Sequence, residues 1–128
     1  MNVFLAEDDP ALREQLTAVI NEVCDAHVVA SAETESEAVD WLRVHRSQWE
    51  LAVLDLFLKK GTGFGILEKL PPASQRDAVI VLTNSATPEN RARCLALGAC
   101  AVYDKSRELD QFLDHCLRHG SQPGGCRG

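Results

Sequence analysis

The sequence predicts an α/β protein, a doubly wound sheet of five parallel strands with helices on both faces. Three observations carry that expectation. Short apolar runs alternate with longer segments of helical periodicity, and the alternation repeats five times. The runs are apolar throughout, as strands are when both faces of a sheet are covered. Four of the runs then stop abruptly at acidic, hydroxyl or basic residues. Right-handed crossovers between such strands wind the sheet in the flavodoxin-like manner.

Val3-Phe4-Leu5-Ala6 reads as a buried first strand, ending in Glu7-Asp8-Asp9-Pro10. Leu12, Leu16, Val19, Ile20 and Val23 then recur at helical spacing. His27-Val28-Val29-Ala30 is a second short strand. Thr34-Glu35-Ser36-Glu37 is a capping-box pattern opening a helix with Ala38, Trp41, Leu42 and His45 on one face. Leu51-Ala52-Val53-Leu54 is the third strand and stops at Asp55. After the Gly61-Thr62-Gly63 turn, Phe64, Ile66, Leu67 and Leu70 predict a short helix that Pro71-Pro72 ends.

Ala78-Val79-Ile80-Val81-Leu82 is the clearest buried strand and stops at Thr83. Thr87-Pro88-Glu89 starts the next helix with a capping hydroxyl, an early proline and an early acid. Gly98 is a natural stop for it. Cys100-Ala101-Val102-Tyr103 is the fifth strand, ending at Asp104-Lys105. Ser106 is expected to cap a last helix carrying Leu109, Phe112, Leu113, Cys116 and Leu117. Residues 120–128 are Gly-rich and are expected to be a disordered tail.

Composition narrows the function classes. The 128 residues suit one domain, and the formal net charge of -6 argues against non-specific binding to nucleic acid or to an anionic membrane. No apolar run approaches the roughly 20 residues that span a bilayer. The N-terminal run turns acidic at Glu7, too early for a signal-peptide core, so a cytoplasmic protein is expected. The five cysteines are scattered without a C-x-x-C, and Cys24, Cys94, Cys100 and Cys116 read as small buried hydrophobes.

In doubly wound sheets ligands bind beyond the carboxyl ends of the strands. The residues expected there are Glu7, Asp8 and Asp9, then Asp55, Thr83, Asp104 and Lys105. Carboxylates brought together repel one another, and a cation offsets them. Oxygen ligands alone favour Mg²⁺ or Ca²⁺, and one or two carboxylates completed by waters and phosphate oxygens is the usual Mg²⁺ arrangement. A lysine and a threonine hydroxyl beside them suit the remaining oxygens of a phosphoryl group. Phosphoryl transfer needs chiefly positioning and charge stabilisation, with Asp55 as the nucleophile.

In order, strand-end placement and spacing these motifs resemble the receiver domains of two-component response regulators. The matching stretches are Val3 to Pro10, Leu51 to Leu56, Gly61-Thr62-Gly63, Val81-Leu82-Thr83, Leu97-Gly98-Ala99 and Tyr103-Asp104-Lys105. The resemblance implies a (βα)5 receiver domain over residues 1–119. It implies that Asp55 is the phosphorylation site, that Glu7, Asp8, Asp55 and the backbone carbonyl of Phe57 bind Mg²⁺, and that Thr83 and Lys105 contact the phosphoryl group. Asp9 is expected to face solvent or to cap the first helix. The implied partners are a sensor histidine kinase or phosphotransfer protein and a downstream protein of unknown identity. A phosphorylation-dependent homodimer is left open. A single-domain regulator without an effector domain is expected, although the Gly-rich tail could also be the start of a linker in a longer regulator.

The sequence departs from the family pattern at three places. Val102 stands where many receivers carry an aromatic, and Tyr103, one residue later, is expected on the other face of the sheet. Ser106 replaces the usual proline after the lysine, and Asn84 replaces a small residue after the threonine. Two rival functions remain in view. A phosphohydrolase would also form an aspartyl phosphate, but it would usually carry an acid at position 57. A pseudo-receiver would dock partners without phosphate. Gly61-Thr62-Gly63-Phe64-Gly65 fails as a dinucleotide fingerprint because Ile66 stands where the third glycine is needed.

Overall fold

The strands are β1 (Asn2–Ala6), β2 (His27–Ala32), β3 (Leu51–Leu54), β4 (Ala78–Thr83) and β5 (Ala101–Asp104), and they pair in parallel in the order β2-β1-β3-β4-β5. They belong to a computed structural model that describes residues 1–121. The helices are α1 (Pro10–Val23), α2 (Glu35–Val44), α3 (Gly63–Lys69), α4 (Pro88–Ala96) and α5 (Leu109–Ser121). This is the doubly wound topology expected from the alternating pattern.

Period-two alternation along buried strands sorts the core into two layers. Phe4, Ala6, Ala52, Leu54, Val79, Val81 and Val102 pack with residues of α2, α3 and α4. Val3, Leu5, Leu51, Val53, Ile80 and Leu82 pack with Leu16 and Ile20 of α1 and Phe112 and Cys116 of α5. The two sides of β5 split as expected. Val102 joins the first layer, and Tyr103 packs against the second.

Side-chain oxygens cap four helices. Asp9 accepts from the Ala11 and Leu12 N–H groups, Thr34 from Glu37, Thr62 from Gly65 and Thr87 from Asn90. Such caps are each worth about 1 kcal/mol. The box at α2 closes differently from its pattern, because the Glu37 carboxylate accepts from the Thr34 hydroxyl at 3.0 Å.

Several details differ from expectation. β2 runs two residues further, to Ala32, and a single 3₁₀ turn at Ala73–Gln75 follows Pro71-Pro72. Ser106 does not cap α5. The Asp104 carboxylate holds that turn instead, accepting from the Ser106 and Arg107 N–H groups at 2.8 and 3.1 Å. α5 continues through Gly120 and Ser121, and the rest of the expected tail, 122–128, lies outside the described residues. Cys24, Cys94 and Cys116 are buried free thiols, but Cys100 is only half-buried because it lies just before β5. No helix among the described residues is long and apolar enough to cross a membrane.

Candidate functional site

Strand register builds the site. Ala6 pairs with Leu54, Leu54 with Val81, and Thr83 with Asp104, so β1 and β3 end level with each other and β4 and β5 end level two residues further on. Main-chain bonds continue the sheet beyond the strands. Asp55 N–H donates to the Ala6 carbonyl, Glu7 N–H to Ala32 and Lys105 N–H to Thr83, each at 3.0 Å. The expected residues are therefore fixed by backbone before their side chains touch.

Glu7, Asp8 and Asp55 offer carboxylate oxygens that all lie within 4.8 Å of one another. The Lys105 ammonium donates to Asp55 Oδ2 at 2.7 Å and also to Glu7 Oε1. Asp55 Oδ1 accepts from the Leu56 N–H at 2.7 Å, so each oxygen of Asp55 has one donor. Glu7 is 2% exposed, Asp55 9% and Thr83 1%, whereas Asp8 is half-buried. Asp9 takes the capping role and stays exposed.

Three carboxylates against one ammonium leave the cluster two charges negative. Burial pushes the Glu7 carboxyl above its ordinary value, and Lys105 offsets part of that. Burial alone would pull Lys105 down, but its bonds to Asp55 and Glu7 outweigh it and hold the ammonium above its ordinary value. The surplus carboxylates, with oxygen as the sole donor type, fit a hard divalent cation. Asp8 points to the same use, since its carboxylate has no bonding partner among the described residues.

The loop after Asp55 is held in place by the glycines of the 61–65 motif. A side chain at Gly63 would put its first carbon 2.5 Å from the Asp55 carbonyl oxygen. Gly63 N–H in turn donates to the Leu56 carbonyl at 2.8 Å. Gly61 has φ +85°, a backbone that glycine adopts at little cost. The motif thus secures the turn under the acid. Phe57 stands two residues past Asp55, bridged to Thr62, and the residue is 51% exposed.

Thr83 Oγ1 accepts from the Ser85 N–H at 3.1 Å, leaving its own hydrogen available. Contacts not foreseen from sequence continue from there. Asn90 Nδ2 donates to the Ser85 carbonyl at 2.8 Å. Arg91 donates to the Ala86 and Val102 carbonyls at 2.9 Å each and pairs with Glu108. Glu108 accepts from the Asp104 N–H at 2.9 Å. Arg91 carried no motif signal; its role appears only once α4, β5 and the start of α5 are brought together.

A family described as the response regulator receiver domain matches residues 3–116. The chain belongs to that family. Among curated relatives, the protein-glutamate methylesterase/protein-glutamine glutaminase 1 of Xanthomonas oryzae pv. oryzae is 33% identical over 115 residues, covering 85% of this chain and 31% of that protein. The response regulator RppA of Synechocystis sp. is 30% identical over 113 residues, covering 88% of this chain and 47% of RppA. The receiver domain of a DNA-binding response regulator from Colwellia psychrerythraea 34H superposes with a TM-score of 0.82 at 24% identity, covering 95% of this chain and 99% of that one. The receiver domain spans about a third or less of the length of several curated relatives it matches. It is a receiver domain of the response regulator kind, in which some relatives attach an esterase.

Proposed function

We propose that this receiver domain accepts a phosphoryl group on Asp55 in a Mg²⁺-dependent step and passes the change to the α4–β5–α5 face. The observation that carries this reading is the placement of Lys105 between Asp55 and Glu7, beyond the carboxyl ends of β1, β3 and β5. An Asp55 oxygen attacks the phosphorus of a phosphohistidine on a sensor kinase or phosphotransfer protein. The P–N bond breaks, the histidine leaves with that electron pair, and an acyl phosphate remains on Asp55. Glu7, Asp8, Asp55 and the Phe57 carbonyl would hold Mg²⁺, which would supply positive charge against the phosphoryl oxygens. Lys105 turns from the Asp55 carboxylate to a phosphoryl oxygen, and Thr83 donates its hydroxyl hydrogen to another.

Movement of Thr83 changes its bond to Ser85, and the Ser85–Asn90, Ala86–Arg91 and Arg91–Glu108 contacts carry that change to the start of α5. The new group brings about -1.5 to -2 charges to a site already rich in acids, which is the differential the two conformations respond to. A downstream protein would read the altered face. One structural neighbour, the beryllofluoride-activated NtrC4 receiver domain, is a dimer, so self-association is a second way of reading it. Phosphohydrolase turnover is disfavoured because the residue two past Asp55 is Phe57, an exposed aromatic residue in place of an acid. Amide NMR of the full chain with beryllofluoride and Mg²⁺ tests the route. Shifts running from Thr83 through Arg91 to Glu108 support it, and shifts confined to Asp55 and its neighbours refute it.

A further inference from the structure

A cavity of about 330 Å³ opens at the end of the sheet opposite Asp55, where α2 ends and β3 and β4 begin. Leu42, Trp49 and Leu70 give it apolar walls, and Arg43, Arg46 and Arg76 line it with positive charge. Trp49 is buried, and its indole N–H is already spent on the Leu42 carbonyl at 3.2 Å. What the indole offers the cavity is apolar surface.

Among the described residues seven lysines and arginines form ion pairs, whereas these three arginines, like Lys60 and Arg107, form none. Arg76 has a structural task, donating to the carbonyls of Pro71, Asp77 and Gly98 at 2.9, 3.3 and 3.1 Å. Those bonds use three of its five N–H groups and supply no counter-charge, and burial pulls the guanidinium below its ordinary value. Arg43 and Arg46 are exposed. Asp77 is the one acid in the lining, and burial, reinforced by Glu50, pushes its carboxyl toward the neutral form, while His119 opposes this. The volume lies at the lower end of small-molecule sites, which pair apolar walls with a few convergent polar groups. Planar guanidinium forks match carboxylate and phosphate oxygens.

We propose that this cavity binds a small anion with a flat apolar body. Its carboxylate or phosphate head is held by Arg43, Arg46 and Arg76, and its body lies against Trp49, Leu42 and Leu70. The site is separate from the strand-end acids and does not depend on phosphorylation of Asp55.

The test is an NMR titration of the full chain with naphthoate, naphthyl phosphate, neutral naphthamide and inorganic phosphate, following the Trp49 indole and Arg76 Nε resonances. The expected result is a saturable shift with naphthoate or naphthyl phosphate, and the tighter of the two identifies the head group. Losing charge-assisted contacts weakens binding about tenfold, so naphthamide and an Arg43→Ala/Arg46→Ala variant should both bind at least that much more weakly. Inorganic phosphate, lacking the body, should bind more weakly too. Neither exposed arginine side chain makes a hydrogen bond among the described residues, and an unchanged amide spectrum verifies that the variant is folded. Overturning results are no saturable shift with either anion, an equal response to naphthamide, undiminished binding by the variant, or shifts centred on Thr83 and Lys105.

Discussion

The Ser106 hydroxyl donates a 3.0 Å hydrogen bond to Oδ1 of Asn84. It ties the residue after Lys105 to the residue after Thr83, and both bonded residues are departures from the family pattern. The bridge therefore ties together the two strand ends whose side chains would move in the proposed switch.

Removing this bridge should ease that movement. One such bond is worth about 1 kcal/mol, or about fivefold in a rate. Asn84→Ala and Ser106→Ala should each speed labelling by acetyl phosphate by up to that factor, and the double variant should gain no more than either single one. Intact-mass time courses check this. Slower labelling, or gains that multiply, would contradict the bridge as a joint restraint.

Arg91 joins the β4–α4 loop to β5 and to Glu108 before α5 without touching Glu7, Asp8 or Asp55. Arg91→Ala should leave Mg²⁺-dependent labelling of Asp55 within about twofold, since it leaves the transferring groups in place. It should abolish the beryllofluoride-induced amide shifts at Val102, Asp104 and Glu108. Retention of those shifts would mean the change travels by another path.

The pKa of Glu7 is raised by burial, so the folded protein holds this proton more tightly than the unfolded chain does. Stability from this group falls as pH rises from its ordinary value of 4.5 through the raised value, and the penalty is complete above that. Glu7→Gln should therefore be more stable than the parent near neutral pH, with the gap closing as pH falls toward 4.5. Urea midpoints across that range measure it. Lys105 behaves oppositely at the other end, because its contribution is complete below 10.5 and is lost as pH rises through its raised value. Lys105→Met should lack that alkaline loss.

Tyr103 donates to or accepts from His115 Nδ1 at 2.8 Å and packs edge-on to Phe112. Tyr103→Phe should cost about 1 kcal/mol in denaturant unfolding and leave the beryllofluoride shifts at Thr83 unchanged. Loss of those shifts would give Tyr103 a switching role that its side of β5 does not suggest.

The strand ends were legible in the sequence because backbone pairing alone places them. Glu7, Asp55 and Lys105 continue the main-chain ladder, so knowing the strand order is enough to bring them together. Caps at Asp9, Thr34, Thr62 and Thr87 were legible because they depend on neighbours within three residues. Ser106 was misjudged for the opposite reason. Its partner, Asn84, is distant in sequence, and Asp104 had already taken the local turn. Arg91 stayed hidden because three carbonyl or carboxylate partners from separate segments define it.

The most direct test of the central claim is intact-mass analysis after incubation with acetyl phosphate, with and without Mg²⁺, for the parent chain and Asp55→Asn. A single phosphoryl adduct that requires Mg²⁺ and vanishes in Asp55→Asn is the predicted result. An adduct that persists in Asp55→Asn, or a folded parent chain that binds Mg²⁺ yet takes no phosphoryl group, would contradict it.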